Sequence, residues 1–201
     1  MIKSKFLGQS LSLIYVIFFI AGCSSVASHM VAPDYAKKAI RLIALMPMEN
    51  KTSDQMAAKM LRSKMLDELY FKGYPKIPLE FIDLKLQTIL KEDAGKKSGL
   101  IPPKTVGEAL GVDALLYCTL SESETSITLF YAPTSLSVAC ELKSAKTEET
   151  LWQAQYSTVE RNFGYSRYDL EMKVSQIYEA AIKEVVDKVM ATLPDGPDLT
   201  G

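Results

Sequence analysis

The scarce reactive side chains of this 201-residue chain are three cysteines, Cys23, Cys118 and Cys140, and one histidine, His29. A serine or cysteine nucleophile ordinarily works through an adjacent base, most often histidine. His29 stands in the polar stretch "SSVASHMVAPD" (24–34), ahead of the main body, so no such dyad is expected there. No Cys-x-x-Cys and no glycine-rich phosphate loop occurs. Met46, Met48, Met56, Met60 and Met65 have the softness for copper(I). Their spacing, however, puts most of them on the buried sides of a strand and a helix, where methionine fills gaps. Glu122/Glu124 and Glu148/Glu149 sit at strand ends and turns, where charge is normally solvated. The expectation is a protein without catalytic residues, metal or cofactor.

Cys23 has the clearest chemistry. Lys3 and Lys5 precede an apolar stretch, Leu11–Ile20, and Ile20-Ala21-Gly22-Cys23 follows. A positive start, a short apolar middle and small residues before a break form an export signal. About ten apolar residues fall well short of the roughly twenty that span hydrocarbon. The "IAGC" ending resembles the lipobox of bacterial lipoproteins. That resemblance implies cleavage before Cys23 and acyl chains, palmitate among them, on its sulfur and new amino group. Several chains hold a protein to a membrane for practical purposes permanently, since each buried CH₂ contributes about 0.8 kcal/mol. Ser24, rather than Asp, implies transfer to the outer membrane. The expected division is a signal over 1–22, a lipidated Cys23 with a flexible tether over 23–36, one domain over 37–193 and a disordered tail over 194–201.

Removal of residues 1–22 leaves 179 residues, enough for a substantial core. It also removes Lys3 and Lys5, which takes the formal charge from −1 to −3. A mildly acidic body argues against nucleic acid as a partner.

The elements follow from hydrophobic period. "AIRLIALMPMEN" (39–50) predicts a buried central strand over 40–47. Ala57, Leu61, Met65 and Leu69 recur every four residues, between a Ser53 or Asp54 cap and a Gly73 stop, and predict a helix. "YPKIPLEF" (74–81) reads as an edge strand broken by prolines, with Asp83 capping the next helix. A loop, "AGKKSGLIPP", leads to a short helix with Thr105 and Glu108 in capping-box spacing and Gly111 at its end.

Alternation then predicts strands. Ala114, Leu116, Cys118 and Leu120 share one face, as do Leu136, Val138, Cys140 and Leu142. "TEETLWQAQYSTVE" supplies a third strand, and a helix with Leu170, Val174, Ile177, Ala181, Val185 and Val189 on one side closes the chain. The order β-α-β-α-α-β-β-β-α predicts an α/β (α+β) two-layer fold, a mixed sheet with helices mainly on one face. Cys118 and Cys140 fall on the apolar faces of neighbouring strands. Two small buried thiols are the weightier reading, and a disulfide the other.

"IALMPMENKTSD", "ALGVDALLYCTL" and "LKSAKTEETLW" together resemble a family of bacterial lipoproteins known from a neisserial genome-derived antigen. More distantly they resemble the curli-secretion lipoprotein CsgG and, in fold, the amino-terminal domain of TolB. The resemblance covers nearly all of the chain after the signal. Relatives commonly carry Thr-Gly where this chain has Thr147-Glu148-Glu149. What it implies is an envelope lipoprotein in a secretion or surface-assembly system.

Two stretches have the composition of partner surfaces. "TLFYAPT" exposes Leu129, Phe130 and Tyr131 at a hairpin tip, where they could dock on a partner, touch lipid or fold back on the sheet. "RNFGYSRYD" mixes Arg161, Phe163, Tyr165, Arg167 and Tyr168, types enriched in binding anchors, or else forms a loop packing its own aromatics. The expected function is a non-enzymatic interaction module, lipid-anchored to the outer membrane and facing the periplasm. Its expected partner is an envelope lipoprotein or secretion protein, and a homo-oligomer is compatible with it. The alternatives are an activator of peptidoglycan synthesis and, with less support, a pore-forming secretion subunit.

Overall fold

The computed structural model describes residues 26–93 and 101–197. The signal, Cys23, Ser24, the "AGKKSGL" part of the charged loop and residues 198–201 lie outside the described residues.

Three long strands carry the sheet: β4 (Ala114–Thr125), β5 (Tyr131–Ser144) and β6 (Thr150–Phe163), antiparallel in sequence order. Short strands β2 (Ile43–Leu45) and β3 (Glu49–Asn50) run parallel to β4, and β1 (Ser28–Val31) runs antiparallel to β6. The sheet is therefore mixed, in the order β1-β6-β5-β4-β2, with β3 also on β4. Among the described residues, four α-helices complete it: α1 (Gln55–Phe71), α2 (Leu79–Asp93), α3 (Pro103–Leu110) and α4 (Arg167–Met190). The architecture is the expected mixed α+β one.

Alternation along the strands sorts their side chains between two faces. Leu116, Cys118, Leu120, Leu136, Val138 and Leu142 point to one face and meet Leu61, Met65 and Leu69 of α1 and Val185, Val186 and Val189 of α4. Ala44 and Leu115 point the other way, against Ile82 and Leu86 of α2 and Val106 of α3. The two longest helices thus share one face, and α2 and α3 cover the β2–β4 part of the other. Asp54 caps α1 through the Ala57 amide, and Gly73, at φ 85°, follows its end.

Four local expectations are corrected. The strand expected over 40–47 is only Ile43–Leu45, and it closes the sheet order instead of sitting centrally. It is nevertheless fully buried, because helices cover both of its faces. Residues 74–78 form no strand. Pro75 and Pro78 offer no amide to a ladder, and the Pro78 carbonyl instead accepts from the Phe81 and Ile82 amides to start α2. Asp83 is consequently inside α2, where it receives both arms of Arg62 at 2.7 and 2.8 Å. Helix α3 begins after Pro102 without a Thr105 cap; Glu148, from the β5–β6 turn, accepts from the Lys104 amide. Glu148 holds φ at 61°, the left-handed region that favours glycine.

Residues 28–38 and 194–196 are more ordered than expected. The supposed tether contains β1, in register from Ser28–Gln155 to Val31–Trp152, and a 3₁₀ turn at Tyr35–Lys38. Ala27 and Tyr35 are buried in the core. The supposed tail packs on the end of α1. The Pro194 carbonyl accepts from the Tyr74 hydroxyl, Asp195 pairs with Lys72, and the Gly196 amide donates to the Lys72 carbonyl.

Cys118 and Cys140 face each other in the β4–β5 register, and their sulfurs are bonded at 2.04 Å. The weightier expectation of two separate thiols gives way here because the register sets the pair directly opposite, with Cα atoms 4.1 Å apart.

Candidate interaction surface

Beyond Leu120 the β4–β5 register shifts, and the three long strands run on beside the start of α4, where Ala132, Thr134 and Leu170 are fully buried. Their far end is where the two aromatic stretches meet. The hairpin between β4 and β5 is closed by the Thr128 amide and hydroxyl, both donating to the Tyr131 carbonyl at 2.8 Å, and by the Ser126 amide donating to Pro133. The Gly164 amide then donates to the Phe130 carbonyl at 3.1 Å, which fastens the end of β6 to the hairpin tip. Tyr131 and Phe163 are direct partners in the β5–β6 register, with ring centroids 5.0 Å apart.

The chain turns into α4 immediately afterwards. Ser166 caps that helix through the Asp169 amide, and the Tyr165 amide donates to the Asp169 carboxylate. A Cβ on Gly164 would lie 2.7 Å from Leu170 Cγ, so only glycine allows this close junction. Leu170 is buried beneath it, while Tyr165 (96%), Leu129 (73%) and Tyr168 (73%) are among the most exposed large side chains of the molecule. Phe130 and Phe163 are exposed beside them, and Tyr131 is half-buried. The two stretches, read separately in the sequence, form one aromatic apex. The folded-back reading holds for Tyr131 alone.

Two of the cations at the apex are internally paired. Arg167 bonds Glu171 at 2.9 Å, and Lys173 bonds Asp169 at 2.9 Å, holding the Asp169 carboxyl below its usual range. Arg161 is exposed on the open sheet face, opposite Pro133. Val159, exposed on the same face as Phe163, adds to the apolar area and was not singled out from the sequence. Simple alternation could have found it, because it is two residues from Arg161.

Beneath the apex, polar groups tie α4 to the sheet. The Asp54 carboxylate accepts from the Ser123 and Tyr178 hydroxyls as well as capping α1. Burial alone would raise its pKa; the Ala57 amide and the two hydroxyls outweigh that and hold it low. Tyr178 is pushed up to about 12, by burial first and then by its bond to Asp54. Glu184 accepts from Tyr156 at 2.7 Å and Thr158 at 2.9 Å. These bonds tie six side chains of α1, α4 and the sheet together. The recess on the open sheet face, about 410 Å³ in volume, is lined by Tyr117, Thr119, Glu141, Gln153, Gln155 and His29. His29 Nδ1 lies 3.3 Å from the Ala27 carbonyl. Among the described residues, no cluster of His, Cys, Asp and Glu could hold a metal ion, and no helix is long and apolar enough to cross a membrane.

The profile of a family described as "Putative lipoprotein GNA1162-like" matches residues 33–196. Among solved structures, the lipoprotein GNA1162 from Neisseria meningitidis is 21% identical, with a TM-score of 0.48 over 70% of this chain and 96% of that one. A PelC dodecamer from Paraburkholderia phytofirmans is 12% identical, with a TM-score of 0.51 over 82% of this chain and 98% of that one. The LpoB C-terminal domain from Salmonella enterica is 14% identical, with a TM-score of 0.43 over 63% and 93%. The PelC structure shows a shared fold. No curated protein sequence matches the chain.

Proposed function

Because the chain belongs to the GNA1162-like lipoprotein family, we propose that it is a non-enzymatic interaction module held to the outer membrane by acyl chains on Cys23 and facing the periplasm. The observation that carries this reading is the aromatic apex. Leu129, Phe130, Phe163, Tyr165 and Tyr168 come from two distant segments, yet they are fastened into one exposed end. A fold pays for such exposure with solubility, and contiguous exposed apolar area marks contact surfaces. The body serves to present that surface in an envelope assembly, with another envelope protein or further copies of itself bound alongside. That PelC, on a similar fold, is a dodecamer supports further copies as one form of this contact.

The activator alternative loses support from β1. An extended tether of residues 23–36 would let the domain stand well away from its membrane. With pairing already established at Ser28, the five residues back to Cys23 reach only about 17 Å. The test is a pull-down of the full-length tagged chain from detergent-solubilised envelopes, together with a Cys23→Ala version. A defined complex, and release of the Cys23→Ala chain from membranes, is the expected result. Recovery of the lone chain, or full membrane retention without Cys23, would count against the proposal.

A further inference from the structure

We infer that the partner of the aromatic apex is the lipid surface that carries the chain's own anchor, so that this end of the sheet inserts into the headgroup region. The inference rests on acylation of Cys23, as proposed above, and it is carried by the direction of β1. Strand β6 runs from Thr150 towards the apex, and β1 is antiparallel to it. Traced backwards, from Val31 to Ser28 and on to Val26, the chain therefore heads towards the apex, not away from it. Continuing the register by two residues brings Val26 level with Ser157.

The distances then constrain the membrane. From Ser157 to Phe163 is six residues of strand, about 20 Å at roughly 3.3 Å each. From Val26 back to Cys23 is three residues, at most about 11 Å. The hairpin tip at Leu129 and Phe130 lies at the Phe163 end. With the strands upright on the membrane, the acylated residue therefore cannot reach the level of the apex. The apex projects past it on the lipid side.

The residues that project are suited to that position. Tyrosine and phenylalanine rings suit the boundary between headgroups and acyl chains, where one end of a tyrosine is wet and the other apolar. Near the tip Arg167 is paired with Glu171 and Lys173 with Asp169, while Arg161 is exposed on the sheet face, so most of the local charge is already balanced and apolar area carries the contact. Binding scales with apolar area buried in the interface.

The test uses the full-length acylated protein reconstituted in phosphatidylethanolamine–phosphatidylglycerol vesicles with brominated acyl chains. Phe130→Trp and Tyr165→Trp each add one exposed indole at the apex, and Lys146→Trp adds one at the opposite, β5–β6 end. The expected result is a blue shift and loss of most of the added emission at 130 and 165, unaffected by salt, with none at 146. Intact mass is read on each preparation. Acylated Cys23 without quenching at either apex position overturns this inference alone. Equal quenching at 146 also overturns it, because the domain would then lie flat. A Cys23 without acyl mass removes both this inference and the anchor it depends on.

Discussion

Glu160 and Glu184 face each other between β6 and α4, and they titrate in opposite directions. Burial first, and then the neighbouring Glu184, raises the Glu160 carboxyl above its ordinary value of 4.5. Glu184 is equally disfavoured by burial, but the hydroxyls of Tyr156 and Thr158 and the neighbouring Glu160 more than compensate and lower it. The signs follow from proton counting. Between 4.5 and the raised value, folded Glu160 binds more protons than unfolded Glu160, so stability falls as pH rises through that window. The Glu184 contribution is present above 4.5 and is lost as pH falls through its lowered value. Glu160→Gln should therefore flatten the fall in Tm as pH rises above 4.5 through the raised value. An unchanged slope in thermal scans would show that the pair is not coupled. At the same scale, the mature oxidised protein should be lighter by two hydrogens than its reduced form. Opening the 22-residue loop with Cys118→Ser and Cys140→Ser should cost about 3 kcal/mol in denaturant unfolding. A mass unchanged by reduction would remove the bond.

At the scale of elements, Asp54 ties the start of α1 to the far part of the sheet. Asp54 accepts the Ala57 amide as a helix cap and also takes the hydroxyls of Ser123 on β4 and Tyr178 on α4. Asp54→Ala should cost about 2 kcal/mol, a typical cap plus one lost side-chain bond. Asp54→Asn, which keeps an acceptor for the amide, should cost clearly less; equal losses would mean that charge, rather than capping, dominates. The β5–β6 turn similarly positions α3. A Cβ on Gly107 would come 2.2 Å from the Ala145 Cβ, and Glu148 caps the Lys104 amide from the same turn. Neither contact is encoded within the eight residues of α3, which is why the capping-box spacing of Thr105 and Glu108 misled. For the same reason 74–81 looked like an edge strand: the apolar residues alternate there, but the prolines leave too few amides to pair.

For the whole molecule, the apex contributes little to folding and much to contact. Leu129→Ser with Phe130→Ser should leave Tm nearly unchanged, within about 0.5 kcal/mol, because both side chains are already in water. The same pair should weaken recovery of the chain in its membrane-associated complexes. A large loss of Tm would instead mean that the tip packs on the body. The order of the two chain ends belongs to this scale as well. Residues 26–31 complete the sheet beside β6, and 194–196 close over Tyr74 and Lys72, so the folded unit is larger than the expected span of 37–193.

What sequence alone determined were the features written in local period. The long strands β4, β5 and β6, helices α1 and α4, and the inward faces of Leu116, Leu136 and Val185 all repeat every two or about 3.6 residues, and burial of one face requires no knowledge of the partner. The individual apex residues were legible too, as exposed aromatics beside turn signals. Tertiary structure alone decided what depended on pairing across the chain: that Ser28–Val31 becomes a strand, that β2 closes the sheet, that Cys118 stands opposite Cys140, and that two aromatic stretches share one end. A four-residue strand has too few alternations to announce itself. Register and direction are set by the strand it meets, far away in sequence, and they determine where the anchor leaves the fold.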